Sequence, residues 1–180
     1  RPLELQWFYQ KGASYLFPDF WHEYEQHIPQ DERNDFVGAY YKRLTSKDEK
    51  VQLEAARIWS KWEAATSRLY INYDAVEEYD EPKKALEFAR IECHYFINKT
   101  FFPTDNYLIE NVGVLRNIPG TIVQGRYDVV CPAKSAWDLK QAWPEVELNI
   151  IPDSGHAASE PGIRAGLVTA TDALRLKLSK

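Results

Sequence analysis

The segment Pro119-Gly120-Thr121-Ile122-Val123-Gln124-Gly125-Arg126-Tyr127-Asp128 decides how the fold is read. Its apolar run Thr121-Ile122-Val123 lies between Pro119-Gly120 and Gly125, the pattern of a short buried strand. A second run, Val146 to Ile151, ends at Pro152 and reads the same way. Between them Pro132 opens a helix that runs to about Trp143. Beyond them Pro161 opens a last helix with Ile163, Leu167, Ala170 and Leu174 on one face. Strand, helix, strand, helix predicts parallel strands joined by a right-handed crossover. Two strands are too few for an open sheet to stand alone, so this region reads as part of a larger α/β sheet.

Upstream the composition changes. Of the aromatic residues only Tyr127, Trp137 and Trp143 follow position 110, whereas six of the eight glycines do, which marks a boundary between Asn111 and Asn117. Before it, apolar residues recur at helical spacing: Val51, Ala55, Ile58, Trp59 and Trp62 form one stripe, and Leu86, Ala89, Cys93 and Phe96 another. Helices are also predicted over Asp19 to His27 and Asp31 to Leu44, punctuated by Pro18 and Pro29. Arg1 to Phe17, aromatic-rich and containing Gly12, reads as irregular. The expected organisation is an all-helical region over 1–112 and an α/β region over 113–180.

Composition excludes several function classes. The formal charge of −5 arises from 27 acidic and 22 basic residues spread along the chain, which leaves no basic stripe for nucleic acid. The longest uncharged stretch, Asn117 to Gly125, is far shorter than the roughly 18 apolar residues of a membrane span, and no signal-peptide pattern opens the chain. Cys93 and Cys131 have no metal-ligand or disulfide spacing, so a reducing, cytoplasmic setting without metal or cofactor is expected. The chain begins at Arg1 and contains no methionine, which suggests a fragment.

Each strand runs into a polar loop, Gly125-Arg126-Tyr127-Asp128 after the first and Asp153-Ser154-Gly155-His156 after the second. Parallel strands bring such loops to one sheet edge, where ligands bind in open α/β folds. There Asp128 can accept from one ring nitrogen of His156 and leave the other to act as a general base. The same residues also read as a cap for the helix near Pro132 and an ordinary loop histidine. Asp153 is too close to His156 in sequence to orient it well.

Gly-Arg-Tyr-Asp ending at Asp128, followed 28 residues later by His156 after Gly155, occurs with Trp59-Ser60-Lys61-Trp62-Glu63 and Ile91-Glu92-Cys93-His94-Tyr95-Phe96. With Trp7-Phe8-Tyr9-Gln10, Gly12-Ala13-Ser14 and Leu16-Phe17-Pro18 at the start, the chain resembles the proline iminopeptidases in order along essentially its whole length. That resemblance implies an α/β-hydrolase with chain order serine, acid, histidine and a helical cap between nucleophile and acid. Residues 1–112 would be that cap and 113–180 the C-terminal part of the catalytic fold.

Asp128 and His156 match the acid and the histidine. The catalytic serine has no counterpart: no Gly-x-Ser-x-Gly occurs, and Ser14, Ser67, Ser154 and Ser159 lie outside any strand-to-helix elbow. The resemblance therefore implies a serine aminopeptidase fragment, inactive alone, whose partners are peptides with a free N-terminal proline and the missing N-terminal part of the same fold.

In the family, two cap glutamates matching Glu63 and Glu92 hold the substrate's imino terminus. A prolyl ammonium offers two N–H donors that two carboxylates can accept. Glu92 has Phe88, Ala89, Tyr95 and Phe96 at helical spacing, and Glu63 lies beside Trp59 and Trp62. Solvated helix glutamates over an ordinary aromatic core are the alternative reading of these residues. Tyr9 matches a pocket residue, although Trp7 and Phe8 offer the same chemistry. An epoxide-hydrolase-like capped hydrolase would share the Asp–His end but gives no reason for paired cap glutamates. A non-catalytic helical binding module is the third possibility.

Overall fold

Thr121–Gly125 (β1) and Glu147–Ile151 (β2) pair in parallel, with Thr121 opposite Glu147 and Gly125 opposite Ile151, in the computed structural model of the chain. The structure describes residues 1–78 and 81–179, which are mostly helical apart from this small sheet. Two units form: Arg1–Thr66 with Tyr70–Asp105, and Ser67–Leu69 with Asn106–Lys180.

In the second unit α7 (Tyr107–Glu110) precedes β1, the crossover between strands is α8 (Ala133–Ala142), begun by Pro132, and α9 (Pro161–Leu178) follows β2. Successive strand residues face opposite sides. Ile122 therefore joins Val112, Trp143, Val146 and Leu139 in a cluster on the α8 side, while Val123 and Ile151 meet α9. The inner face of α9 differs from the one expected. Ile163 is buried and Ala170 and Leu174 are half-buried, but Leu167 is 40% exposed. Gly166 takes the inward place instead, where a Cβ would come within 2.9 Å of Val123 and 3.4 Å of Ile151. A small residue lets the helix approach the sheet.

The first unit is built around α4 (Glu49–Thr66), which packs against α2 (Pro18–Gln26), α3 (Phe36–Leu44), α5 (Tyr73–Glu78) and α6 (Pro82–Ile97). Its expected stripe is the core: Ala55, Ile58, Trp59 and Trp62 are buried, with Val51 half-buried. From α6, Ala85, Ala89 and Cys93 are buried, with Leu86 and Phe96 at the margin. Trp59 and Trp62 meet Tyr24, Tyr40 and Phe8, so truncating either tryptophan to alanine should cost about 3–5 kcal/mol.

Two local expectations need correction. The helix expected from Asp31 starts at Phe36. Asp35 is extended, and its carboxylate accepts from the Gly38 N–H at 3.0 Å, a side-chain cap that fixes the start. Gln30–Glu32 form only a 3-10 turn. Arg1 to Phe17 is not irregular but a short α1 (Pro2–Leu5), a π turn over Gln6–Gln10 and a 3-10 turn over Ala13–Tyr15. The wider turn, closed by Lys11 N–H to Gln6 O at 2.9 Å, sends the neighbours Phe8 and Tyr9 both inward, a pattern without 3.6-residue periodicity.

Candidate active site

The ladder of β1 and β2 continues past the strands and sets the two polar loops side by side. Arg126 N–H donates to Ile151 O at 2.9 Å, and Tyr127 N–H to Ser154 O at 3.0 Å. The approach is so close that a Cβ on Gly125 would lie 1.9 Å from Gly155 O, so this position tolerates only glycine. Beyond the contact, Asp128 Oδ1 accepts from the backbone N–H groups of Val130 (3.0 Å) and Cys131 (2.8 Å), and Oδ2 accepts from Gln124 Nε2 (3.2 Å). The carboxylate is fixed by three neutral donors, and its fourth partner is His156 Nδ1 at 3.0 Å from Oδ2. Asp128 is 7% exposed and His156 40% exposed.

Asp128 raises the His156 pKa to about 10, helped by the nearby Cys131 side chain and opposed by burial. At neutral pH the imidazole in this chain is therefore a cation, its Nδ1–H bonded to Asp128. An oriented ring of this kind exchanges a proton through Nε2 once its pKa approaches the working pH. Asp153 is exposed and is not the acid bonded to His156.

The first unit brings together Tyr9, Glu63 and Glu92. The buried Tyr9 hydroxyl donates to Glu63 Oε1, and its ring stacks on Trp59 with centroids 4.5 Å apart at 13°. Trp59 Nε1–H in turn donates to Glu92 Oε2 at 2.9 Å, and Phe96 lies 5.2 Å from Tyr9. Glu63 is 6% exposed. Burial first, then the negative charges of Glu63 and Glu92, push the Tyr9 phenol well above its ordinary pKa, so it stays a donor. Two carboxylates thus converge on one pair of stacked rings, Glu63 accepting from Tyr9 and Glu92 from Trp59.

No protein-family model matches the chain. Curated relatives do: it is 52% identical over 176 residues to a proline iminopeptidase of Arabidopsis thaliana and 52% identical over 172 residues to one of Xylella fastidiosa. The Neisseria gonorrhoeae enzyme of the same name is 38% identical over 174 residues. The chain is homologous to proline iminopeptidases over almost its whole length. These matches cover 97%, 96% and 96% of it but 46%, 55% and 54% of the relatives, so the chain spans about half their length.

Beside the residues singled out by resemblance to proline iminopeptidases, the geometry adds four that sequence reasoning missed. Gln124 holds the acid, and its only signal was a polar residue closing an apolar strand. Cys131 donates its backbone N–H to Asp128, and its side chain adds to the raised His156 pKa. Trp59, read as core, is the donor to Glu92. Glu160, at the start of α9, is a buried carboxylate with no sequence pattern to mark it. Among the described residues no group of three His, Cys, Asp or Glu side chains is arranged to hold a metal ion, and no helix is long and apolar enough to cross a membrane.

Proposed function

We propose that this chain carries the acid, the histidine and the substrate-selecting carboxylates of a serine-type aminopeptidase that releases N-terminal proline. In this reading residues 1–112 are the helical cap of an α/β-hydrolase and residues 113–180 the C-terminal part of its catalytic fold. A serine from a segment outside these 180 residues attacks the prolyl carbonyl carbon while His156 takes its proton. The C–N bond breaks, His156 returns the proton to the leaving amine, and water then hydrolyses the acyl ester.

The observation that carries this reading is the convergence of Glu63 and Glu92 on the Tyr9–Trp59 ring pair. Glu63 is buried and Glu92 half-buried, and two carboxylates beside an aromatic wall suit a cationic ligand with an apolar body. A prolinium group has two N–H donors for two carboxylates and an apolar ring for the aromatic wall. An epoxide-hydrolase-like reading gives no reason for the pairing of two glutamates here.

His156 fits the same scheme. Burial is the one influence lowering its pKa, so covering the exposed ring with a nucleophile elbow moves it toward the range of a working base. Free thiols at Cys93 and Cys131 suit the reducing, cytoplasmic setting that belongs to this proposal.

The test is a proline arylamide assay on two proteins. One is the 180-residue chain. The other is a chimera that places the unmatched part of the Xylella fastidiosa relative before it. The chimera should turn over and lose activity with His156→Ala, while the chain alone stays silent for want of a nucleophile. Turnover by the pure chain that His156→Ala abolishes, or a folded but inert chimera, contradicts the proposal.

A further inference from the structure

His156 occupies a loop with no regular structure of its own, so something outside that loop must hold it. Its backbone N–H donates to Ser67 O at 3.0 Å, and that of Ala157 to the same oxygen at 2.8 Å. Ser67–Leu69 belong to the second unit although they directly follow α4 in the chain. Glu160 completes the attachment. Its Oε1 accepts from the N–H of Gly155, the residue before His156, at 2.9 Å, and its Oε2 accepts from the N–H of Leu69 at 3.2 Å. A Cβ on Gly155 would stand 2.8 Å from Leu69 N and 3.2 Å from Glu160 Oε1, so the three groups meet at a spacing only glycine allows. At the rim Arg68 donates to Ser159 Oγ at 2.7 Å.

We propose that Glu160 is the positioning residue of His156, a two-armed carboxylate that clips the histidine loop to Ser67–Leu69 and so fixes the ring against Asp128. Glu160 is not among the groups that shift the His156 pKa, so its influence runs through the backbone at Gly155. It is 8% exposed, and a buried carboxylate with both oxygens engaged by backbone N–H groups is a rigid joint. The catalytic meaning of the clip rests on the proposed role of His156, but its existence does not.

The experiment uses the 180-residue chain and needs no turnover. Histidine-ring NMR follows the titration of His156, and amide hydrogen exchange follows Gly155 and Leu69. Glu160→Gln leaves one acceptor oxygen and turns an NH2 group toward an N–H donor, so at least one of the two bonds is lost. Exchange at Gly155 or Leu69 should quicken by at least about tenfold. The His156 midpoint should drop from about 10 toward 6.5 while exchange within α4 is unchanged. Asp128→Asn should lower the His156 midpoint and leave both amides protected, which separates the clip from the acid. Should Glu160→Gln not fold, Glu160→Asp keeps the charge and both oxygens on a shorter arm, and the same two signals should move in the same directions. If the amides are released in either variant while His156 still titrates near its parent value, or if neither signal moves, Glu160 does not position His156.

Discussion

Asp128→Asn is the perturbation whose result follows most directly from the geometry. Two backbone donors, the N–H groups of Val130 and Cys131, point at Oδ1. The asparagine must keep its only oxygen there, which turns its NH2 group toward Nδ1 of His156. The ring can then accept at Nδ1 only when neutral, with its proton on Nε2, the tautomer that cannot act as a base. The largest cause of the raised pKa is lost and burial remains, so His156 should titrate at or below 6.5 instead of at about 10.

Linkage gives the sign. A midpoint raised above the unfolded value stabilises the parent fully below about pH 6.5, and that contribution is lost as pH rises through about 10. In Asp128→Asn the decline across this window should vanish. Because the ring is 40% exposed, solvent screening makes the slope shallower than the whole shift implies. Histidine-ring NMR from pH 5 to 11, with urea melts at three pH values, reads both effects. A variant His156 that still titrates near 10 refutes the assignment of Asp128 as its partner. In the chimera the same change should lower proline arylamide turnover roughly 10⁴-fold, as in the serine-protease triad.

Trp59→Phe keeps the stack on Tyr9 but removes the donor to Glu92. Losing a hydrogen bond to a charged group costs about 1.5–3 kcal/mol, measurable in urea melts of the chain, and KM of the chimera should rise. Gly125→Ala forces the two loops apart, because its Cβ would lie 1.9 Å from Gly155 O. Destabilisation of about 1–3 kcal/mol or more is expected, with loss of the His156 shift, and an unchanged melt contradicts the described approach. Glu63→Gln should weaken the chimera's KM for proline arylamide without unfolding the chain, since the amide oxygen still accepts from Tyr9; unchanged kinetics would assign Glu63 to the core alone.

The parallel pair was legible because Thr121-Ile122-Val123 and Val146 to Ile151 are bounded by proline and glycine, and α4 because its tryptophans recur at helical spacing. The π turn was not, since it buries adjacent residues, and periodicity searches reward residues three and four apart. Helical spacing from Ile163 and Leu174 points Leu167 inward, whereas the close approach of the helix to the sheet puts Gly166 there. At the candidate site Asp128, His156, Glu63 and Glu92 are legible in the chain, but the parts played by Gln124, Trp59 and Glu160 are not. Gln124 reaches Asp128 across the turn that follows β1, Trp59 reaches a distant helix, and Glu160 takes backbone N–H groups, and none of these leaves a pattern in residue types.

The central claim is that two cap carboxylates read the substrate's charged terminus, and Glu92→Gln in the chimera tests it most directly. The amide keeps an acceptor for Trp59 Nε1 but removes the charge that meets the prolinium. Breaking one side of a buried charge pair costs about 2–5 kcal/mol, so kcat/KM for a free N-terminal proline arylamide should fall by tens- to thousands-fold. An N-blocked proline arylamide carries no such charge and should be cleaved equally poorly by parent and variant. If Glu92→Gln cleaves both substrates as the parent does, Glu92 does not select the substrate and the account of the cap is wrong.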